Sequence, residues 1–295
     1  MGLWPRFRRE TKPPARRRGP PPSKVQPRAA AGDRISDPLD VRAGGHLLRA
    51  VMIGPGPKYA PSVVFLHEGL GCIALWRDLP LAIARAAGCN ALIYERIGHG
   101  GSDPAPAPRR ADYFEHEAET VLPDVLDFFG IDEAVLIGHS DGGTIALLAA
   151  AALPERVRGV VAIAAHSYLE PAALAGIERT RARYATDTGF RARLKRYHGP
   201  NAAPLVEAWS SFWLAEGFRD WSIEARLAAV RAPVLLIQGE ADDYATPAQL
   251  ARTEAALGGP VQSLLLAGAG HTPQREAADA VSAAITKFLR ELPAD

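Results

Sequence analysis

Cysteine is almost missing from this chain. Cys72 and Cys89 are the only two in 295 residues, too few for a disulfide framework or a cysteine-based zinc site, so free thiols in a reducing, cytoplasmic setting are expected. No apolar run reaches the ~18 residues that a membrane-spanning helix needs, so stable membrane insertion is not expected. The N-terminal stretch also lacks the apolar centre of a secretory signal. No internal repeat is present, which argues against a solenoid or propeller. The overall charge is close to balanced at +1, but its distribution is not. Residues 1–34 carry ten of the 34 basic residues and two of the 33 acidic ones, a net +8, leaving 24 against 31, a net −7. That stretch also holds seven prolines and too few apolar residues to bury anything, so it reads as a disordered, solvated Arg/Pro-rich tail. The acidic remainder argues against nucleic acid as a partner of the folded part.

With 47% apolar and 23% charged residues, the chain can build a large core, and one α/β domain of roughly 250 residues is an ordinary size. From about residue 37, "DVRAGG" and "HLLRAVMIG" predict an antiparallel hairpin. Apolar runs then predict strands at "SVVFLHE" (62–68), "NALIYERIG" (90–98), "EAVLIGHS", "VRGVVAIAAH" (157–166), "APVLLIQGE" (232–240) and "VQSLLLAGAGH" (261–271). Helical stretches separate them, one of them containing Pro123 as a kink or restart point. Short strands without polar alternation, spaced by helices, point to a mostly parallel eight-stranded sheet covered on both faces.

Residues 167–229 break the alternation: they hold helical patterns and no convincing strand. Leu174, Ile177 and Tyr184 fall near one helical face, and Leu205, Trp209, Phe212 and Trp213 form an i, i+4, i+7, i+8 stripe. The expected organisation is a core of residues 35–166 and 230–295 with a helical cap, 167–229, over the strands' carboxyl edge, where open α/β sheets bind ligands. Trp209 and Trp213 either pack the cap onto the body or line an apolar substrate pocket.

The chemistry-bearing motif is Gly138-His139-Ser140-Asp141-Gly142, which fits G-x-S-x-G between a strand and a helix. A serine on so sharp a turn stands clear of its neighbours, and the following helix N-terminus favours developing negative charge. A serine hydroxyl needs a base, and the base needs an orienting carboxylate. His271, in the loop "GAGHTP" after the last strand, is the candidate base; His67, His99 and His166 also follow strands and compete with it. Asp242, in "GEADDYATP", is the candidate acid, with Asp243 and Glu240 as alternatives; Asp242 gives the chain order Ser…Asp…His. No carboxylate directly follows the strand 157–166, Glu170 being the nearest. The candidate oxyanion donors are the backbone N–H groups of Asp141 and Gly69, the latter in "HEGLG" after the first parallel strand.

These stretches together resemble the α/β-hydrolase fold, in its helically capped serine-hydrolase form, from about residue 37 to the end. "LHEGLG" is similar to its oxyanion loop, "YERIGHGGSD" to its G-x-G-x-S turn, "GHSDGG" to its elbow, "GEADD" to its acid turn and "GAGH" to its base loop. The resemblance implies a cofactor-free, metal-free enzyme acting on a small apolar or aromatic acyl compound, as a monomer or homodimer. Carboxylic ester hydrolysis is the leading expectation. C–C bond hydrolysis of dienoic ring-cleavage products is the alternative, with the basic run "FRARLKRYHG" (190–199) available to a substrate carboxylate. A non-catalytic ligand-binding protein on the same fold is a third. One departure is visible: Glu68 stands where the family usually has glycine, facing either the pocket mouth or a polar turn. Serine at position 140 also separates the chain from the aspartate-using dehalogenases and epoxide hydrolases of the family.

Overall fold

The structure, a computed structural model, describes residues 34–106 and 108–293. Apart from Arg34, the Arg/Pro-rich tail expected over 1–34 lies outside the described residues. The chain opens with the hairpin β1 (Leu39–Ala43) and β2 (His46–Ile53), followed by β3 (Ser62–Leu66), α1 (Leu79–Ala87) and β4 (Asn90–Tyr94). Next come α2 (Tyr113–His116), α3 (Leu122–Phe129), β5 (Ala134–His139), α4 (Asp141–Ala152) and β6 (Val157–Ile163). Four helices follow without an intervening strand: α5 (Pro171–Thr186), α6 (Thr188–His198), α7 (Ala202–Trp213) and α8 (Glu224–Leu227). The last part is β7 (Val234–Gly239), α9 (Pro247–Ala256), β8 (Val261–Leu266), α10 (Pro273–Glu276) and α11 (Ala278–Glu291).

The eight strands form one sheet in the order β1-β2-β4-β3-β5-β6-β7-β8. The hairpin and its junction with β4 are antiparallel, and every later pairing is parallel. This is the expected mostly parallel eight-stranded sheet. Strands β3, β4, β5 and β7 are buried along their whole length, which is why they read as unbroken apolar runs. At the edge, β8 is only half-buried, and Leu265 is exposed. Two apolar clusters flank the sheet: one contains α3, α4 and the aromatic side of α7, and the other contains α1 and α11.

Pro123 acts as the sequence predicts. Residues 117–121 form a π turn between α2 and α3, and Pro123 sits in the first turn of α3. Proline supplies no N–H to the carbonyl four residues back, and the wider turn absorbs that mismatch.

The chain steps from β3 to β4 on one side and then to β5 on the other, so the loops leaving β3 and β5 diverge at the carboxyl edge. That reversal makes the crevice in which α/β sheets place their ligands. The helical insert between β6 and β7 contains one isolated bridge, Tyr168 to Ser222. Leu205, Trp209, Phe212 and Trp213 are all buried, so the apolar stripe of α7 is its packing face. Among the described residues, no helix is long and apolar enough to cross a membrane.

Candidate active site

Ser140 joins β5 directly to α4 with φ 52° and ψ −120°, a conformation rarely adopted by side-chain-bearing residues. The glycines around it are there for space. A Cβ on Gly138 would lie 2.1 Å from the Gly142 carbonyl oxygen, and one on Gly142 would lie 1.9 Å from the Leu66 oxygen. Strand, turn and helix are thus packed backbone to backbone, which holds the strained serine in place. Asp141, the first residue of α4, has an amide with no intrahelical acceptor.

His271 Nε2 lies 3.0 Å from Ser140 Oγ, and its Nδ1 lies 2.9 Å from both oxygens of Asp242. Asp242 also accepts from the Gln238 side-chain amide and, at 2.8 Å, from the Tyr244 amide. Burial alone would raise the Asp242 pKa, but the bond and charge from His271 and the Tyr244 amide bring it below the ordinary carboxylate value. The alternatives lie elsewhere: Asp243 pairs with Arg179 at 3.2 Å, and Glu240 is exposed.

The competing histidines have other partners. His67 donates through Nδ1 to the Glu68 carbonyl and accepts the Arg96 amide at Nε2. His99 lies between the carbonyls of Ile97 and Gly69. His166 reaches the Tyr244 carbonyl at 3.3 Å, its ring centre 6.0 Å from that of His271. Burial drives the pKa of all three below the usual histidine value, the Arg96 charge adding to it for His67 and His99.

The loop after β3 carries Gly69, and a Cβ there would lie 2.2 Å from Trp209 Nε1. The α7 indole therefore occupies the space that any side chain at 69 would need. Beneath the loop, the fully buried Arg96 donates to the carbonyls of His67 and Glu68, and its Nε donates to the Tyr113 hydroxyl at 2.9 Å. The Glu68 carboxylate faces both the pocket and His139, with Nδ1 3.4 Å away, and Arg275 at 3.6 Å. Burial would raise its pKa, but His139 and Arg275 bring it down to about 2. The roles of Arg96 and His139 were not legible in the motifs. A charged residue inside the apolar run "LIYERIG" was the one hint of the first.

A cavity of about 550 Å³ opens onto Ser140 and His271. Trp209, Trp213, Ile177 and Phe190 form much of its apolar wall, and Arg179 and Arg183 also line it. Trp213 does two things: it faces the cavity, and its Nε1 donates to Asp141 Oδ1 at 3.3 Å. Arg109 approaches the other Asp141 oxygen at 3.8 Å. Of the run 190–199, only Phe190 lines the cavity; Arg193, Lys195 and Arg196 are exposed.

Comparison with known proteins adds the decisive fact: the model of the alpha/beta hydrolase family matches residues 63–284. The chain belongs to the alpha/beta hydrolase family. Among curated relatives, this hydrolase is 29% identical to 2-succinyl-6-hydroxy-2,4-cyclohexadiene-1-carboxylate synthase of Salmonella paratyphi C over 59% of the chain, and spans only 62% of that relative's length. It is 26% identical to epoxide hydrolase A of Mycobacterium tuberculosis, over 89% of this chain and 98% of that one. Among solved structures, the 2-hydroxy-6-oxo-6-phenylhexa-2,4-dienoate hydrolase from Rhodococcus sp. strain RHA1 superposes with a TM-score of 0.73 at 20% identity, covering 87% of this chain and all of that one. At that identity, the likeness shows the shared fold.

Proposed function

We infer that this alpha/beta hydrolase is a serine hydrolase of carboxylic esters or related small acyl compounds. The observation that carries the reading is the continuous relay from Ser140 Oγ to His271 to Asp242, with contacts of 2.9 to 3.0 Å. His271 takes the serine proton as Oγ attacks the acyl carbon, and Asp242 holds the ring with Nδ1 protonated and stabilises the imidazolium. The amides of Asp141 and Gly69 receive the oxyanion; each such donor contributes about 3–4 kcal/mol to the transition state. His271 then protonates the leaving group, and water, activated by the same ring, releases the acid from the acyl-enzyme. The scheme needs only protein groups and water. The aromatic wall of Trp209, Trp213 and Phe190 supports an apolar or aromatic acyl group as the occupant. Buried, free Cys72 and Cys89 support a reducing, cytoplasmic setting.

The test is turnover of a chromogenic short-chain ester together with labelling by a fluorophosphonate. Ser140→Ala is expected to lower turnover at least about a hundredfold and to abolish labelling. Undiminished activity in that variant refutes the assignment. A wild-type protein that neither labels nor turns over esters favours the ligand-binding alternative.

One observation favours a second reading, C–C bond hydrolysis of dienoic ring-cleavage products. Arg179 and Arg183 of α5 line the cavity, paired there with Asp243 and Asp187, and a substrate carboxylate would have to share or replace those partners. Faster turnover of such a dienoate than of any ester would decide for it.

A further inference from the structure

On α6, the buried residues are Leu194 and His198, one helical turn apart, while Arg193, Lys195 and Arg196 are exposed. A polar ring at the inner end of a cap helix needs partners, and His198 has two. The Gly100 amide donates to its Nδ1 at 3.0 Å, and its Nε2 lies 3.1 Å from the Leu70 carbonyl oxygen. Because Nδ1 accepts, the ring proton resides on Nε2, and His198 donates to Leu70. Burial holds its pKa below the usual histidine value, so the ring stays neutral and this tautomer persists near neutral pH.

Leu70 belongs to the turn that carries Gly69. The Gly71 amide closes that turn by donating to the Glu68 carbonyl at 2.9 Å. Three carbonyls of this stretch are held from outside: His67 and Glu68 by Arg96, and Leu70 by His198. In a planar trans peptide the C=O and N–H point in opposite directions. Holding the Glu68 carbonyl toward Arg96 therefore aims the Gly69 N–H the other way. Holding the Leu70 carbonyl toward α6 aims the Gly71 N–H back at Glu68, which locks the turn.

We propose that His198 is a positioning residue, through which the cap fixes the turn 68–71 and hence the direction of the Gly69 amide. The inference rests on the serine-hydrolase reading only for its catalytic consequence; the clamp itself is a property of the fold. Arg96 holds the turn from the body, and His198 holds it from the cap. The oxyanion site is thus complete only while α6 is seated.

Two near-isosteric variants separate this role from general support. His198→Gln keeps an amide N–H in reach of Leu70. His198→Asn keeps a group near Gly100 but falls short of Leu70. With the short-chain ester, His198→Asn is expected to lower kcat about tenfold to a hundredfold with KM within about twofold, the size of effect that a small misplacement produces. Affinity for a boronic acid inhibitor, whose tetrahedral adduct occupies the oxyanion site, is expected to fall in parallel. His198→Gln is expected to recover both to within about threefold. Hydrogen exchange of amides 69–71 is expected to quicken in the Asn variant only, and this readout needs no activity. Gln and Asn variants that match each other in exchange overturn the clamp, whether both resemble the wild type or both are impaired. Different exchange with equal kcat and equal boronate affinity overturns the catalytic consequence. Failure of the serine-hydrolase reading shows separately, as a wild-type protein that neither labels nor turns over esters.

Discussion

The imidazole of His139 holds the backbone carbonyl of His271, 132 residues further along the chain, with its Nε2 2.7 Å from the oxygen. The residue just before Ser140 therefore anchors the loop that carries His271. Its other nitrogen faces the Glu68 carboxylate at 3.4 Å, and Glu68 in turn lies 3.6 Å from Arg275. The segments that carry Ser140, Glu68 and His271 thus meet at one buried ring.

His139→Leu is expected to lower kcat about tenfold or more by freeing the His271 loop, with a smaller effect on KM. The rate at which a fluorophosphonate phosphonylates Ser140, with loss of fluoride, measures this directly. An unchanged rate would show that the loop is held without the ring.

Asp242→Asn is expected to lower kcat about 10⁴-fold, because an amide cannot hold His271 with Nδ1 protonated. Gln238 and Tyr244 donate to different oxygens of Asp242, so the same change leaves one of these two donors facing an NH₂ group and the site loses polar satisfaction as well. Asp243→Asn and Glu240→Gln are expected to stay within about threefold of the wild type, since neither residue reaches His271. Steady-state kinetics on the three variants decides among the carboxylates.

Glu117 links buried charge to pH. It is 1% exposed, its Oε2 has no hydrogen-bond partner, and burial raises its pKa to about 7 despite the nearby Arg96 and Arg109 charges. A carboxyl whose folded pKa is raised binds more protons folded than unfolded between about pH 4.5 and 7. Its contribution is therefore complete below the ordinary value and is lost as pH rises through about 7. The loss is about 3 kcal/mol. Glu117→Gln is expected to gain stability over the wild type from pH 5 to pH 8 by that order, as read in urea melts at both pH values. Glu68 acts with the opposite sign: its pKa near about 2 adds stability above the ordinary carboxylate range, and this is lost as pH falls.

The legible part of the site was the part that backbone geometry writes locally. Gly138 and Gly142 betray the elbow because their missing side chains make room for neighbouring carbonyls. Pro123 marks the interrupted helix because it lacks an N–H. His271 and Asp242 stood out because each follows a strand in a glycine-bearing loop. His139 stands beside Ser140 in the motif, but what its ring touches depends on where the loop after β8 arrives. The basic run on α6 drew attention to its charges, while its buried histidine, His198, is the residue that reaches the body of the protein.

The linear order of residues determined the sheet, the helical insert between β6 and β7 and the candidate Ser140, Asp242 and His271, because hydrophobic period and turn chemistry are short-range properties. Only the tertiary structure decided which peptide carbonyls Arg96 and His198 hold, and that Trp209 fills the space beside Gly69. Such contacts join elements far apart in the chain, and a hydrogen bond tolerates only a few tenths of an ångström, finer than any sequence pattern specifies.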